Sequence, residues 1–188
     1  GPLLDWAEQI AGYVPDTPSL AIRADDLAYD QDALIARSLN VSILSTAIAA
    51  ELGYRGAELR DVIVGSLLHD IGLAVPLEDK LALHHPAIGY DLLRKIPGFP
   101  AGSLQIVLQH HERIDGRGFP QGAAGHEIRE ASQICAFACD IDDFLNQSLT
   151  ERLPHEGIEF AMSKIDTTCE YGVVRAFLNV FEPYPVGA

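Results

Sequence analysis

Apolar residues recur along this chain at helical spacing. Between Asp32 and Leu52 they fall at Leu34, Ile35, Leu39, Val41, Ile43, Leu44, Ile48 and Leu52. That fits a 3.6-residue period better than the alternation of a strand. Gly53 follows as a stop signal. The same reading predicts a second helix from Glu58 to His69, carried by Leu59, Val62, Ile63, Leu67 and Leu68, with Gly72 just beyond it. A third runs from Pro86 to Ile96, with Pro86 in the first turn, where its missing N–H costs little. Pro97, Gly98 and Pro100 then break the chain. Ser103 to His111 is a fourth helix and Glu127 to Leu145 a long fifth; Ile158 to Phe181 holds one or two more. Between the fourth and fifth lies Asp115-Gly-Arg-Gly-Phe-Pro-Gln-Gly122, then Ala123-Ala124-Gly125. Four glycines and a proline in those eleven residues exclude a regular element. The strand signal is weak everywhere. Residues 1–30, with Pro15 and Pro18 and few periodic positions, read as a helical extension or linker, and residues 31–188 as the domain proper.

The chain of 188 residues suits one domain of about 150 residues or one with a small appendage. Its charge changes the functional picture more than its length does. Lys and Arg number 13 against 27 Asp and Glu, a net −14. Such a surface is a poor partner for a nucleic-acid polymer or an anionic membrane face. An anionic substrate would have to be drawn by a local positive site, most simply a bound metal. No segment approaches the ~20 apolar residues of a transmembrane helix, and the best stretch, Val62 to Leu68, ends in His69-Asp70. Cys135, Cys139 and Cys169 are an odd, sparse set that makes no disulfide framework, so a reducing cytoplasm is expected. Cys135 and Cys139, four apart among Ile134, Ala136, Phe137 and Ala138, read as buried small residues. The one methionine is Met162, and Gly1-Pro2 reads as a cleavage scar, so the chain is expected to be a piece of a longer protein.

The candidate chemistry lies in the histidines. There are seven: His69, His84, His85, His110, His111, His126 and His155. Neighbours on a helix point ~100° apart, so an adjacent pair cannot share one face, but at a helix end each member can reach a cluster from a different side. His69-Asp70 ends the second predicted helix, His85 starts the third, His110-His111 ends the fourth, and Asp140 sits inside the fifth. A helical bundle projects ligands into a shared pocket from such positions. Imidazole and carboxylate together suit iron, manganese, cobalt, nickel or zinc. Water held by such ions loses a proton near neutral pH, which is the chemistry of phosphoester hydrolysis. One histidine on an apolar face is ordinarily a satisfied core residue; the combined set, followed by a Gly-rich loop, is what points to metal. His84 reads as solvated or as a support beside a ligand, and His126 and His155 as exposed. Arg113 and Arg117 are candidates for phosphate contacts or, equally, for salt bridges in an acidic protein.

Leu68-His69-Asp70-Ile71-Gly72, then His85-Pro86-Ala-Ile-Gly89, then His110-His111-Glu112-Arg-Ile-Asp115-Gly116-Arg-Gly118-Phe119-Pro120 resemble the HD-GYP branch of the HD-domain phosphohydrolases. The likeness runs from about Asp32 to Phe144. It implies an all-helical bundle with a two- or three-metal centre, often iron or manganese, hydrolysing cyclic di-GMP or a related cyclic dinucleotide to pGpG or GMP. By motif matching, His69, Asp70, His85, His110, His111 and Asp140 would be metal ligands, with Asp70 the bridging, catalytic one. Gly118, Phe119 and Pro120 would belong to the loop beside the substrate, together with Arg113 and Arg117. The expected setting is a signalling protein with a fused or partner domain and a homodimeric assembly.

The departures bear on activity. The family's first ligand is a histidine near the start of the first core helix, where this chain has Arg37 in the string Arg37-Ser38-Leu39-Asn40-Val41. Ala33 stands where some members carry a glutamate for a third metal. Leu73 replaces a lysine, Phe119 replaces the tyrosine of the branch's name, and Gln133 is the nearest counterpart of an arginine. The segment between Gly72 and His85 is short. Phe119 deletes one hydroxyl and keeps the ring; Leu73 removes a cation able to hold a phosphate. Arg37 removes a nitrogen donor and sets a permanent cation near the metal. Either one metal subsite is lost, or Arg37 turns outward or toward the substrate phosphate. Two readings therefore stand: a phosphodiesterase with one or two ions, or a binding and signalling module that keeps the scaffold without turnover.

Overall fold

The computed structural model describes residues 1–13, 22–23, 33–75, 83–146 and 154–182. Helix α1 (Pro2–Tyr13) is followed by a short strand, β1 (Ile22–Arg23). The body comprises α2 (Ala33–Glu51), α3 (Gly56–Leu67), a 3-10 turn at Ile71–Ala74, α4 (His85–Leu93) and α5 (Ala101–Gln109). A second 3-10 turn at Gly125–Glu127 leads to α6 (Glu130–Asn146), α7 (Pro154–Met162), α8 (Tyr171–Val180) and a final strand, β2 (Phe181–Glu182). The two strands pair in parallel, Ile22 with Phe181 and Arg23 with Glu182. The architecture is all-α, as the periodicity predicts, and this short ladder is a tether rather than a sheet.

α2, α3 and α6 meet in the middle of the bundle, with α5 and α8 packed on them. Val41, Leu44 and Ile48 of α2 bury against Leu59, Val62 and Ile63 of α3, Ile134, Phe137 and Ile141 of α6, and Val173, Val174 and Phe177 of α8. Removal of this apolar surface from water is the main stabilising term, ~25 cal/mol per Å². Ala7 and Ala11 of α1 are buried in the same core, so the first helix packs on the bundle. α2 has the length and mean hydropathy, 1.2 over Leu34–Glu51, that a membrane helix also needs. Half of that window is buried, packed by α3, α6 and α8, while Ile35, Leu39 and Ile43 stay exposed. Residues 14–21 and 24–30, the rest of the expected extension or linker, lie outside the described residues, as do 31–32 and 76–82, the latter most of the short segment before His85.

Two helices stop earlier than their hydrophobic pattern suggests, and those stops position the site. α3 ends at Leu67 rather than His69, and α5 at Gln109 rather than His111. In both, a histidine folds back onto its own helix. His69 Nδ1 lies 2.7 Å from the Ser66 carbonyl, and His110 Nδ1 lies 2.8 Å from the Val107 carbonyl. A carbonyl oxygen can only accept, so each Nδ1 carries the proton and satisfies a carbonyl that the terminating helix leaves open. The next residue of each pair, Asp70 or His111, is swung off the helix axis toward the other helix end.

Gly72 completes the placement. A Cβ there would lie 2.1 Å from the His85 carbonyl oxygen, so only glycine lets the turn after Asp70 press against the start of α4. That contact brings His85 over Asp70.

Candidate metal centre

Asp70 is the hub. Its side chain is 5% exposed, and its two oxygens meet different partners. Oδ1 lies 3.1 Å from His85 Nε2 and 3.4 Å from His110 Nε2. Oδ2 lies 3.1 Å from His69 Nε2 and 3.2 Å from Arg37 Nε. One donor atom from each of Asp70, His85, His110 and His111 lies within 4.8 Å of all the others. The rings pack closely: His110 and His111 have centroids 4.2 Å apart, and His85 stands edge-on to His111 at 5.0 Å.

This donor set fits a metal ion on its chemistry. His85 Nε2 and His110 Nε2 face each other at 3.1 Å and face the same carboxylate oxygen. Because His110 donates from Nδ1, its neutral form presents a bare lone pair at Nε2, as a ligand must. Burial, with His69 adding to it, pushes His110 down to about 4. Burial and its neighbours His110 and His85 push His111 down to about 2. Burial alone would raise Asp70, yet His110, His69 and His85 hold it well below the usual carboxylate range. His110 and His111 are thus neutral beside an ionised carboxylate, the states metal binding demands. Burial alone would lower His69, yet Cys139 and Asp70 push it up to about 10. His69 Nε2 adds a fully buried nitrogen 3.1 Å from Asp70 Oδ2.

Arg37 turns inward. Besides Asp70 it contacts Asp142 Oδ2 at 3.4 Å and makes a very close contact with Asp143. Asp142 is fixed in turn by Asn40 Nδ2 at 2.9 Å and Asn146 Nδ2 at 3.0 Å. Contrary to one expectation, the guanidinium does not turn outward but lies on the Asp70 carboxylate.

Asp140, expected among the ligands, lies outside the converging group. Arg113 donates to its Oδ1 at 2.9 Å, Thr168 Oγ1 to its Oδ2 at 2.8 Å, and Lys164 Nζ is 3.3 Å from Oδ2. One residue back on α6, the Cys139 thiol lies against His69. A one-residue step is ~100° of helix rotation, which is the difference between facing the centre and facing away from it. Cys135 and burial push the Cys139 thiol up, so it stays neutral. The same contacts settle Arg113, whose guanidinium is committed to Asp140.

The loop after His111 closes the outer side. Phe119 stacks on His111 with centroids 4.4 Å apart and planes 15° apart. The Phe119-Pro120 bond is cis. Gly118 is required by contact: a Cβ would lie 2.4 Å from Arg113 N and 2.5 Å from the His111 carbonyl oxygen. Arg117 is the opposite of Arg113, with its side chain 87% exposed.

The residue that sequence reasoning passed over here is Glu112. It is fully buried and accepts from Gln121 N–H at 2.7 Å and Ala123 N–H at 3.0 Å. The signal was available: a Gly-rich loop has backbone donors that need acceptors, and a carboxylate stands at its base. Gln133 is also structural, tying Ile128 to the start of α8 through Glu170. His84, His126 and His155 are exposed, and so is Leu73. An apolar cleft of about 330 Å³, lined by Leu34, Ile35, Leu39, Leu67 and Leu68, reaches Asp70 from the side of α2 and α3.

Comparison with known proteins agrees with this picture. Residues 23–156 match the family model described as HD domain. A cyclic di-GMP phosphodiesterase of Pseudomonas aeruginosa is 30% identical over 203 residues, an alignment covering 98% of this chain and 48% of that protein. A cyclic di-GMP phosphodiesterase response regulator of Xanthomonas campestris is 34% identical over 121 residues, covering 56% of this chain and 32% of the relative. This chain thus spans half or less of the length of these relatives. Among solved structures, an HDG"Y"P protein from Bdellovibrio bacteriovorus superposes with a TM-score of 0.69 at 20% identity, covering 93% of this chain and 60% of that one.

Proposed function

The chain belongs to the HD domain family, in which its histidine strings place it on the HD-GYP branch, and on that premise we propose that it hydrolyses a phosphodiester of cyclic di-GMP or a related cyclic dinucleotide. The observation that carries the reading is the convergence of Asp70, His85, His110 and His111 within 4.8 Å. These four would hold a divalent ion, and their imidazole and carboxylate atoms suit iron or manganese. When bound, such an ion polarises a phosphoryl oxygen and lowers the pKa of water, which supplies the nucleophile for hydrolysis.

The chain's own residues do the rest. His110 Nδ1 on the Val107 carbonyl fixes that ring and aims its Nε2. Phe119 on His111 keeps bulk water off the outer face of the centre. Glu112 fixes the loop that carries Phe119. Arg117, exposed beside that loop, can reach a substrate phosphate without breaking an existing buried contact. The apolar cleft beside Asp70 offers flat walls to a purine face. The net −14 of the chain would repel a dianionic dinucleotide, so the attraction must come from the ion and these few cations.

Arg37 favours a second reading. A cation already on Asp70 Oδ2 at 3.2 Å is what a scaffold kept for binding, without turnover, would carry. Anaerobically purified protein, loaded with iron or manganese and given cyclic di-GMP, separates the two. Product formation that is lost in Asp70→Asn supports the enzyme. Nucleotide binding at unchanged product background supports the module.

A further inference from the structure

We infer that the centre is mononuclear, with the Arg37 guanidinium holding the place of a second cation on the outer oxygen of Asp70. This rests on the phosphohydrolase reading above and assigns Arg37 a role within it. The argument starts from the two oxygens of one carboxylate. Oδ1 faces His85 Nε2 and His110 Nε2, and with His111 this side gathers a complete set of donors around one point. Oδ2 faces His69 Nε2 and the guanidinium of Arg37.

The two sides differ in charge as well as in donors. A divalent ion on the Oδ1 side meets three imidazoles and a carboxylate oxygen, with no side-chain cation among those four donors. An ion on the Oδ2 side would meet one imidazole, the Cys139 thiol beside it, and a cation that cannot lose its proton. Arg37 is also not free to swing out. Asp142 and Asp143 hold the same guanidinium, and Asn40 and Asn146 hold Asp142. The buried His69 Nε2 faces the same oxygen at 3.1 Å, beside a place already filled by the chain's own positive charge. In this arrangement Arg37 holds the Asp70 carboxylate oriented before the single ion binds. It acts as a positioning residue toward the metal rather than as a metal substitute in chemistry.

Metal counting tests this without any assay of turnover. The full chain is loaded anaerobically with manganese, freed of excess ion, and measured by elemental analysis and electron paramagnetic resonance. One ion per chain with the isolated six-line signal is expected. Arg37→His should raise the count to two and give the broadened multiline signal of a coupled pair. Two coupled ions in the wild type would overturn the inference and leave the phosphohydrolase reading intact. No ion in the wild type would remove the metal centre itself, and both readings with it. A folded Arg37→His protein that stays at one ion also overturns the inference, because the guanidinium would then not be what excludes the second. The wild-type count decides even where the variant does not fold.

Discussion

Asp70 and Asp140 are both buried aspartates reached by several positive or polar groups, and they serve opposite ends. Asp140 is satisfied by the chain: Arg113, Lys164 and Thr168 each reach one of its oxygens within 3.3 Å. Asp70 has one guanidinium and three imidazoles, two of which already spend their Nδ1 protons on helix carbonyls. An imidazole nitrogen aimed at a carboxylate oxygen with no proton between them sets lone pair against lone pair. Only protons or a cation resolve that. The difference teaches how to tell a structural carboxylate from a site: by asking what the partners' remaining lone pairs do, not by counting partners.

The largest effect that would sharpen this contrast is at Asp70. Asp70→Asn keeps the shape, removes the charge, and should lower manganese affinity by more than about 100-fold, beyond the range typical of residues that merely support a ligand. Calorimetric titration measures it, and a change under tenfold would mean that Asp70 is not the hub. Asp140→Ala should do the reverse. It leaves two cations without their carboxylate at a site that is partly solvated, with Arg113 and Lys164 about one quarter exposed. The expected cost is about 1–3 kcal/mol of stability, below the ~3–5 kcal/mol of breaking a fully buried pair because the cations are partly solvated, with metal content unchanged. Urea unfolding and elemental analysis of the same sample check both halves. Loss of metal in folded Asp140→Ala would erase the distinction between the two aspartates.

Much of this was legible in the chain. Helical periodicity located α2, α3, α4, α5 and α6 to within a few residues, because each carries apolar residues at helical spacing. The pairing of His-Asp and His-His at helix ends was legible too, since a helix end is where adjacent residues can reach one point. What could not be read was the phase of α6. Ser132 to Asp142 is buried without interruption, so no polar face marks which side meets the histidines. Asp140 was the expected ligand there, and the structure turns Cys139 toward His69 instead. Arg37 was legible as an anomaly but not as a contact, because its partners Asp142 and Asp143 lie more than 100 positions away. Glu112 was hidden for a similar reason: its acceptor role depends on a loop that folds back nine and eleven residues later.

The smallest expected effect probes what holds Asp140. Among the described residues Thr168 is its one neutral partner, donating to Oδ2 at 2.8 Å, while Lys164 stands 3.3 Å from the same oxygen. Thr168→Val keeps the branched shape and deletes only that hydroxyl. If the two cations are what satisfy the carboxylate, the change should cost about 1 kcal/mol, the net worth of one hydrogen bond. Thermal unfolding of this chain would register that as a drop of ~2–4 °C. A loss above about 3 kcal/mol would show instead that the hydroxyl is the main partner and the cations contribute little through solvent. Asp140 would then be nearly as dependent on a single polar contact as Asp70 is on its ring nitrogens, and the contrast between them would rest on metal content alone.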